Sequence, residues 1–211
     1  DAGVHAKGQV ANFNTLSNIP KDKFAFALNS NLKDDIVIKN SEEKPAKFHS
    51  RYDAKSKVYS YTIHKGIFPP AIMRKYVYHF SYGRLLKRET LEKAAKHFIG
   101  THDFKAFMAS GSSVKSTVRT IYNIEIIEKE DFFKFFYHGN GFLYNMVRII
   151  TGTILYAGIG KIDPDSIPDI ILKGEREVAG ATAPAQGLCL ENIYYWYPYE
   201  NYSIDTLGSL Y

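Results

Sequence analysis

Lys57-Val58-Tyr59-Ser60-Tyr61-Thr62-Ile63-His64 alternates its side chains with a period of two, the spacing of a β-strand and not of a helix. Tyr59, Tyr61 and Ile63 fall on one face, and Val58, Ser60 and Thr62 on the other. Later in the chain, Thr120–Ile127 and Phe132–Tyr137 read as two strands of a hairpin, turned at Glu128–Asp131. Leu188–Tyr195 reads as a last strand, and Gln9–Phe13 and Ile36–Ile38 as shorter ones. Between the strands the period changes to that of a helix. Pro20–Asn29 carries Phe24, Ala27 and Leu28 on one side, and Leu91–Ile99 is capped by Thr90 and stopped by Gly100. A longer helix is expected over Phe142–Ala157, capped by Asn140, with Leu143, Met146, Val147, Ile150, Ile154 and Ala157 as its buried stripe. Pro164 and Gly174 bracket a short one. Hairpins punctuated by helices predict an α+β fold, a largely antiparallel mixed sheet flanked by helices. The polar break Ser41–Pro45 divides the chain into residues 1–45 and 46–211.

With 211 residues the chain can bury a core without a disulfide or metal staple. Lys and Arg number 27 against 22 Asp and Glu, an excess that favours a polyanionic partner. The 16 Tyr and 14 Phe sharpen that leaning towards RNA, because exposed rings stack on unpaired bases. A single cysteine, Cys189, leaves no internal disulfide and points to a reducing, cytoplasmic compartment. The most apolar stretch, Ile149–Ile159, is interrupted by Gly152 and Gly158 and is too short for a bilayer. No phosphate-cradling loop, nucleophile elbow or dinucleotide fingerprint occurs. No metal site is expected either, since His97 and His102-Asp103 are separated by the helix stop at Gly100.

Three polar features stand out against this scaffold. Asp1-Ala2-Gly3-Val4-His5-Ala6 sets a carboxylate before a small residue and a glycine, a loop that a ligand can approach closely; an Asx-type turn would use the same residues. Tyr59 and Tyr61 are either core or a platform for bases. Arg148 lies amid the apolar stripe of the long helix, where a buried guanidinium needs a carboxylate unless it snorkels to solvent.

These fragments occur in a familiar order. Asp1-Ala-Gly-Val-His-Ala-Lys-Gly-Gln-Val-Ala-Asn-Phe13 resembles the signature around the nucleophilic aspartate of the TruA-type tRNA pseudouridine synthase family. Phe48-His-Ser-Arg51 with Ala54-Lys-Ser-Lys-Val-Tyr59-Ser-Tyr61 resembles its second motif, and Gly100-Thr-His-Asp-Phe-Lys-Ala-Phe107 with Val118-Arg119-Thr-Ile121 resembles the next stretches. Phe142-Leu-Tyr-Asn-Met-Val-Arg148 resembles the helix that supplies an active-site arginine, and Ala183-Pro-Ala-Gln-Gly-Leu188 the C-terminal signature. Lys57 stands where the family often has arginine.

The resemblance implies two RRM-like (ferredoxin-like) halves. It also implies an Arg-Thr pair, a strand, a helix and further sheet ahead of the aspartate, so the first half is read as truncated. It implies isomerisation of uridines 38 to 40 in the anticodon stem-loop of tRNA, without cofactor or metal, by a cytoplasmic homodimer. Asp1 would be the nucleophile, Arg148 its ion-pair partner, and Tyr59 the ring that packs on the target base. His5, His49, Arg51, Lys57, Lys115 and Arg119 are the candidate RNA contacts. The competing reading is a non-catalytic RNA-binding module with an RRM-like sheet, which leaves Asp1 and Arg148 without a task. The three catalytic candidates are expected to converge in one basic cleft.

Overall fold

A computed structural model describes residues 2–111 and 114–196. They fall into two compact units, one made of the described residues of Asp1–Gln9 and Ala54–Tyr211, the other of Val10–Asp53.

The larger unit is built on a seven-stranded sheet. Its strands are β1 (His5–Ala6), β2 (Ser56–His64), β3 (Tyr78–His79), β4 (Gly100–Asp103), β5 (Val118–Lys129), β6 (Phe132–Gly139) and β7 (Leu188–Tyr194). They lie in the order β1-β7-β2-β6-β5-β4, with β3 also paired to β2. Four pairings are antiparallel, and only β1 with β7 and β2 with β3 run parallel. The alternating strand β2 is central, flanked by β6 and β7. The expected hairpin is β5–β6, longer at both ends, and Glu130 adopts φ 53° at its turn.

Two helices cover the Tyr61 face: α2 (Arg88–Lys96) and α3 (Met146–Gly158), after the short α1 (Phe24–Asn29) of the smaller unit. Tyr61, Ile63, Phe133, Phe135 and Tyr137 from the sheet share one core with Leu91, Ala94 and Phe98 and with Met146, Ile150 and Ile154. Each large apolar side chain so buried contributes about 1.5–3 kcal/mol. The Tyr137 hydroxyl meets the Thr151 hydroxyl at 2.8 Å and fixes α3 over β6. A final helix, α4 (Ile167–Lys173), ends where Gly174 takes φ +68°.

The structure departs from the sequence expectations in several elements: α2 runs Arg88–Lys96 with Lys87 at its N-cap, so Thr90 lies within it and not at its cap, and it ends before Ile99. Residues 9–13 and 36–38 form no strand, and α1 is confined to Phe24–Asn29 because Pro20–Lys23 is a turn. The helix expected from Phe142 begins only at Met146. Asn140, read as its cap, instead bridges to β5: its side-chain oxygen accepts from Thr120 N–H at 2.9 Å, and its own N–H reaches Thr120 O at 3.0 Å. The residues between are spent on a loop that carries Phe142.

Tyr61 and Tyr137 are fully buried, and burial pushes both phenols well above their ordinary range. In the unfolded chain they ionise near pH 10, so stability is undiminished below about pH 10. Above it the unfolded chain releases protons that the folded one keeps, and stability falls by up to about 1.4 kcal/mol per pH unit for each phenol. Thermal melts between pH 8 and 11 should show this decline, with phenolate absorbance of these residues appearing only as the protein unfolds.

Candidate active site

The segment Ala183–Gly187, just before β7, meets Arg148 of α3 and Tyr61 of β2. Ala183 is buried, and its carbonyl accepts from Arg148 Nε at 2.7 Å while its N–H donates to Arg148 O at 3.1 Å. The carbonyl of the next residue, Pro184, accepts from the Tyr61 hydroxyl at 2.7 Å. A Cβ on Gly187 would lie 2.7 Å from Tyr61 Cζ, so only glycine lets the chain pass this close to the ring. Gly3 has φ +80°, and a Cβ there would lie 3.4 Å from that of Ala185. The residues that follow Asp1 therefore rest on the same segment. Asp1 itself lies outside the described residues.

Arg148 sits in the first turn of α3, half-buried, and its fork is divided. Nε binds the Ala183 carbonyl, and Nη1 binds Asn145 Oδ1 at 2.7 Å. Asn145 can present that oxygen because it takes the left-handed conformation, φ 60°, at the helix start. The guanidinium also lies close enough to Tyr61 to favour its phenolate form, although burial dominates.

Tyr59 stands on β2 opposite Tyr137 and Leu190. The ladder to β7 slips between Val58 and Tyr59, which pair with Asn192 and Leu190, leaving Glu191 as the extra residue of a bulge. Such a bulge twists the strand and re-aims the neighbouring side chain. Tyr59 is half-buried, meets Phe142 edge to face at 5.3 Å, and has its phenol pushed up by burial. Its neighbour Tyr61 is wholly enclosed, so only Tyr59 of the pair is accessible for stacking.

The basic candidates have different settings. Arg119, on β5, donates to Ser116 O at 3.0 Å and Val118 O at 2.6 Å. Burial lowers its pKa, and its Nε would lie 3.7 Å from a Cβ on Gly141, beside the Phe142 loop. Lys115 is exposed just before β5, and Lys57 is half-buried on β2 opposite Gly139 and Ile193. The His5 ring bonds Lys75 O at 2.7 Å and lies 4.9 Å from the Tyr76 ring. His49 and Arg51 belong to the smaller unit. There His49 Nδ1 accepts from the N–H groups of Arg51 and Tyr52, closing a turn, and the Arg51 guanidinium lies over the Tyr52 ring at 5.6 Å.

A family model described as tRNA pseudouridine synthase matches residues 94–196. tRNA pseudouridine synthase A of Acetivibrio thermocellus is 53% identical over 195 residues, covering 92% of this chain and 79% of the relative. The chain belongs to the tRNA pseudouridine synthase family. The Ruminiclostridium cellulolyticum member is 54% identical over 196 residues, with the same coverage. The Bacillus subtilis one is 47% identical over 195 residues, covering 92% of this chain and 78% of its own. In this family member, no group of three or more His, Cys, Asp or Glu among the described residues could hold a metal. Likewise no helix among them is long and apolar enough to cross a membrane.

Sequence reasoning passed over Phe142 and Asn145 as site residues, although both lie in the stretch quoted for Arg148. It also missed Glu191, a buried carboxylate in a strand whose other buried positions, Leu188, Leu190 and Ile193, are apolar. The signal was available, since a lone charge at a core position needs a partner.

Because Gly187 permits the Tyr61 contact, Gly187→Ala should destabilise the protein by about 1–3 kcal/mol through overpacking. A denaturant titration with unchanged m-value and a lower midpoint is the expected result.

Proposed function

We propose that this chain isomerises uridine to pseudouridine in tRNA, at uridines 38 to 40 of the anticodon stem-loop, with Asp1 as nucleophile. The observation that carries the reading is the meeting of Arg148, the Tyr59 strand and the residues following Asp1 around Ala183–Gly187. In the reaction the N1–C1′ bond of the uridine breaks and a C5–C1′ bond forms. C5 gives up its proton and N1 gains one, so no cofactor or external electron source is required.

Each group then has a task. The Asp1 carboxylate attacks the target nucleotide and is held ionised by the Arg148 guanidinium. Arg148 is kept in place from behind by the Ala183 carbonyl and Asn145. Tyr59, braced by Phe142, packs on the uracil, repaying part of the few kcal/mol that unstacking the base costs. A neutral phenol suits this role, and burial keeps Tyr59 neutral at physiological pH. Arg119 and Lys115, with Lys57, His5, His49 and Arg51, hold phosphates and set the orientation of the stem-loop. The working form proposed is a cytoplasmic homodimer; the resemblance supports both parts of that reading, and the single cysteine supports the reducing compartment. A purely RNA-binding role is not favoured, because the relatives that match over 92% of the chain are named tRNA pseudouridine synthase A.

Replacing Asp1 by Asn should abolish pseudouridine formation while tRNA binding stays within a few-fold, since the lost group is the nucleophile and not an anchor. Arg148→Lys keeps the charge but not the two-directional fork, and should lower kcat by about 100-fold, the scale of a slight misplacement of a reacting group. Full turnover by the Asp1→Asn protein would remove the nucleophile from the scheme. For Arg119→Ala and Lys115→Ala the expected outcome is weaker binding, with the slope of log K against log salt reduced by about 0.7–0.9 each. Filter binding across a salt series measures it.

A further inference from the structure

We infer that Glu191 is a positioning residue that ties the Asp1 loop to the Tyr59 strand, with Lys7 as its other half. The inference rests on the pseudouridine synthase reading for its kinetic consequence but not for its geometry.

The Glu191 side chain is 3% exposed. Its Oε1 accepts from the Ser60 hydroxyl at 2.6 Å and lies 3.5 Å from Lys134 Nζ; its Oε2 lies 3.2 Å from Lys7 Nζ. Ser60 is the residue next to Tyr59, and Lys7 closes the strap that begins at the Asp1 loop. One carboxylate thus grips both catalytic segments. It can do so because Glu191 is the extra residue of the bulge opposite Val58–Tyr59.

The charges argue that Lys7 is more than a neutraliser. Lys134, with its side chain 8% exposed, already balances the buried carboxylate. The Lys7 side chain is 48% exposed and would be solvated without any partner. What a second cation adds is a mechanical tie. The strap needs one, because β1 is only two residues long, pairing His5 with Cys189 and Ala6 with Leu190. Beyond it, the Lys7 and Gly8 N–H groups both turn to Leu190 O, at 2.8 and 3.3 Å. A Cβ on Gly8 would fall 2.5 Å from Glu191 O, so the strap lies directly on the bulge. Paired to β7 through His5 and Ala6 and tied to Glu191 through Lys7, the described part of the strap has little freedom to shift.

The test compares Lys7→Met, Lys7→Arg and the double variant Glu191→Met with Lys134→Met, which removes both buried charges together and leaves no orphaned ion. For Lys7→Met, kcat for pseudouridine formation should fall about 10–100-fold, the scale of a small misplacement of a reacting group. KM for tRNA should stay within about twofold, with Lys7→Arg recovering most of the loss. The double variant should melt cooperatively and show the same low kcat. Amide exchange at Lys7, whose N–H bonds Leu190 O, should accelerate in Lys7→Met and in the double variant, and not in Lys7→Arg. An unchanged kcat in Lys7→Met overturns the inference. So does a raised KM with a flattened salt dependence, which would make Lys7 a phosphate contact. If the unaltered protein makes no pseudouridine, the functional reading fails, and the exchange data alone then decide whether the tie exists.

Discussion

The candidate site depends on a short stretch of backbone, Ala183–Gly187, in which the Ala183 and Pro184 carbonyls accept from side chains of α3 and β2 and the Ala183 N–H donates to the main chain of α3. Ala183 both gives to and receives from Arg148, and Pro184 receives the Tyr61 hydroxyl. Charge-assisted and buried hydrogen bonds of this kind are costly to leave half-made. Arg148 therefore cannot swing away without stranding the Ala183 carbonyl, and the sheet cannot slide without stranding Tyr61. The fold as a whole, a sheet with helices on one face, is the frame that brings α3 and β2 to the two sides of this stretch.

That frame explains why two tyrosines in one strand have different fates. Tyr61 is consumed by the core, its ring pressed against Gly187 and its hydroxyl satisfied. Tyr59, beside the bulge, packs partly on the core and meets Phe142 edge to face, and it keeps part of its surface accessible. A polar tip in a closed core must find an acceptor, whereas a half-open ring retains a face for a ligand. The same division applies to the histidines, where His49 serves a turn and His5 a loop carbonyl before either could serve RNA.

Much of this was legible in the sequence, and for physical reasons. Strand β2, the β5–β6 hairpin and the glycine end of α4 carry periodicity or a positive-φ residue over enough positions to be read. Strands β1 and β3 are two residues each, too short for a period to show, and they exist because neighbouring strands offer them partners. The start of α3 was misplaced because Asn140 looks like a cap in isolation, and only the structure shows it bonded to Thr120. Arg148 stands out in the sequence as a charge in an apolar helical stripe, whereas Glu191 lies beside Asn192 in a strand whose polar positions hide it. The bulge that admits it depends on the partner strand, which no local pattern in β7 encodes.

One contact behind the site has a different kind of consequence. Where α3 crosses the chain leading into Ala183, the two meet at glycines. A Cβ on Gly152 would lie 1.8 Å from Ala181 O, and one on Gly180 would lie 2.5 Å from Thr153 N. Main chain touches main chain there, and the one side chain at the contact, Thr153, is held by its hydroxyl, which accepts from Gly180 N–H at 2.8 Å and donates to Ile149 O at 2.9 Å. Most core spacings can drift as side chains are exchanged for larger or smaller ones over many generations. This one has no adjustable part, so the gap between Arg148 and its carbonyl acceptor is a fixed dimension while the surrounding interior remains free to be rewritten.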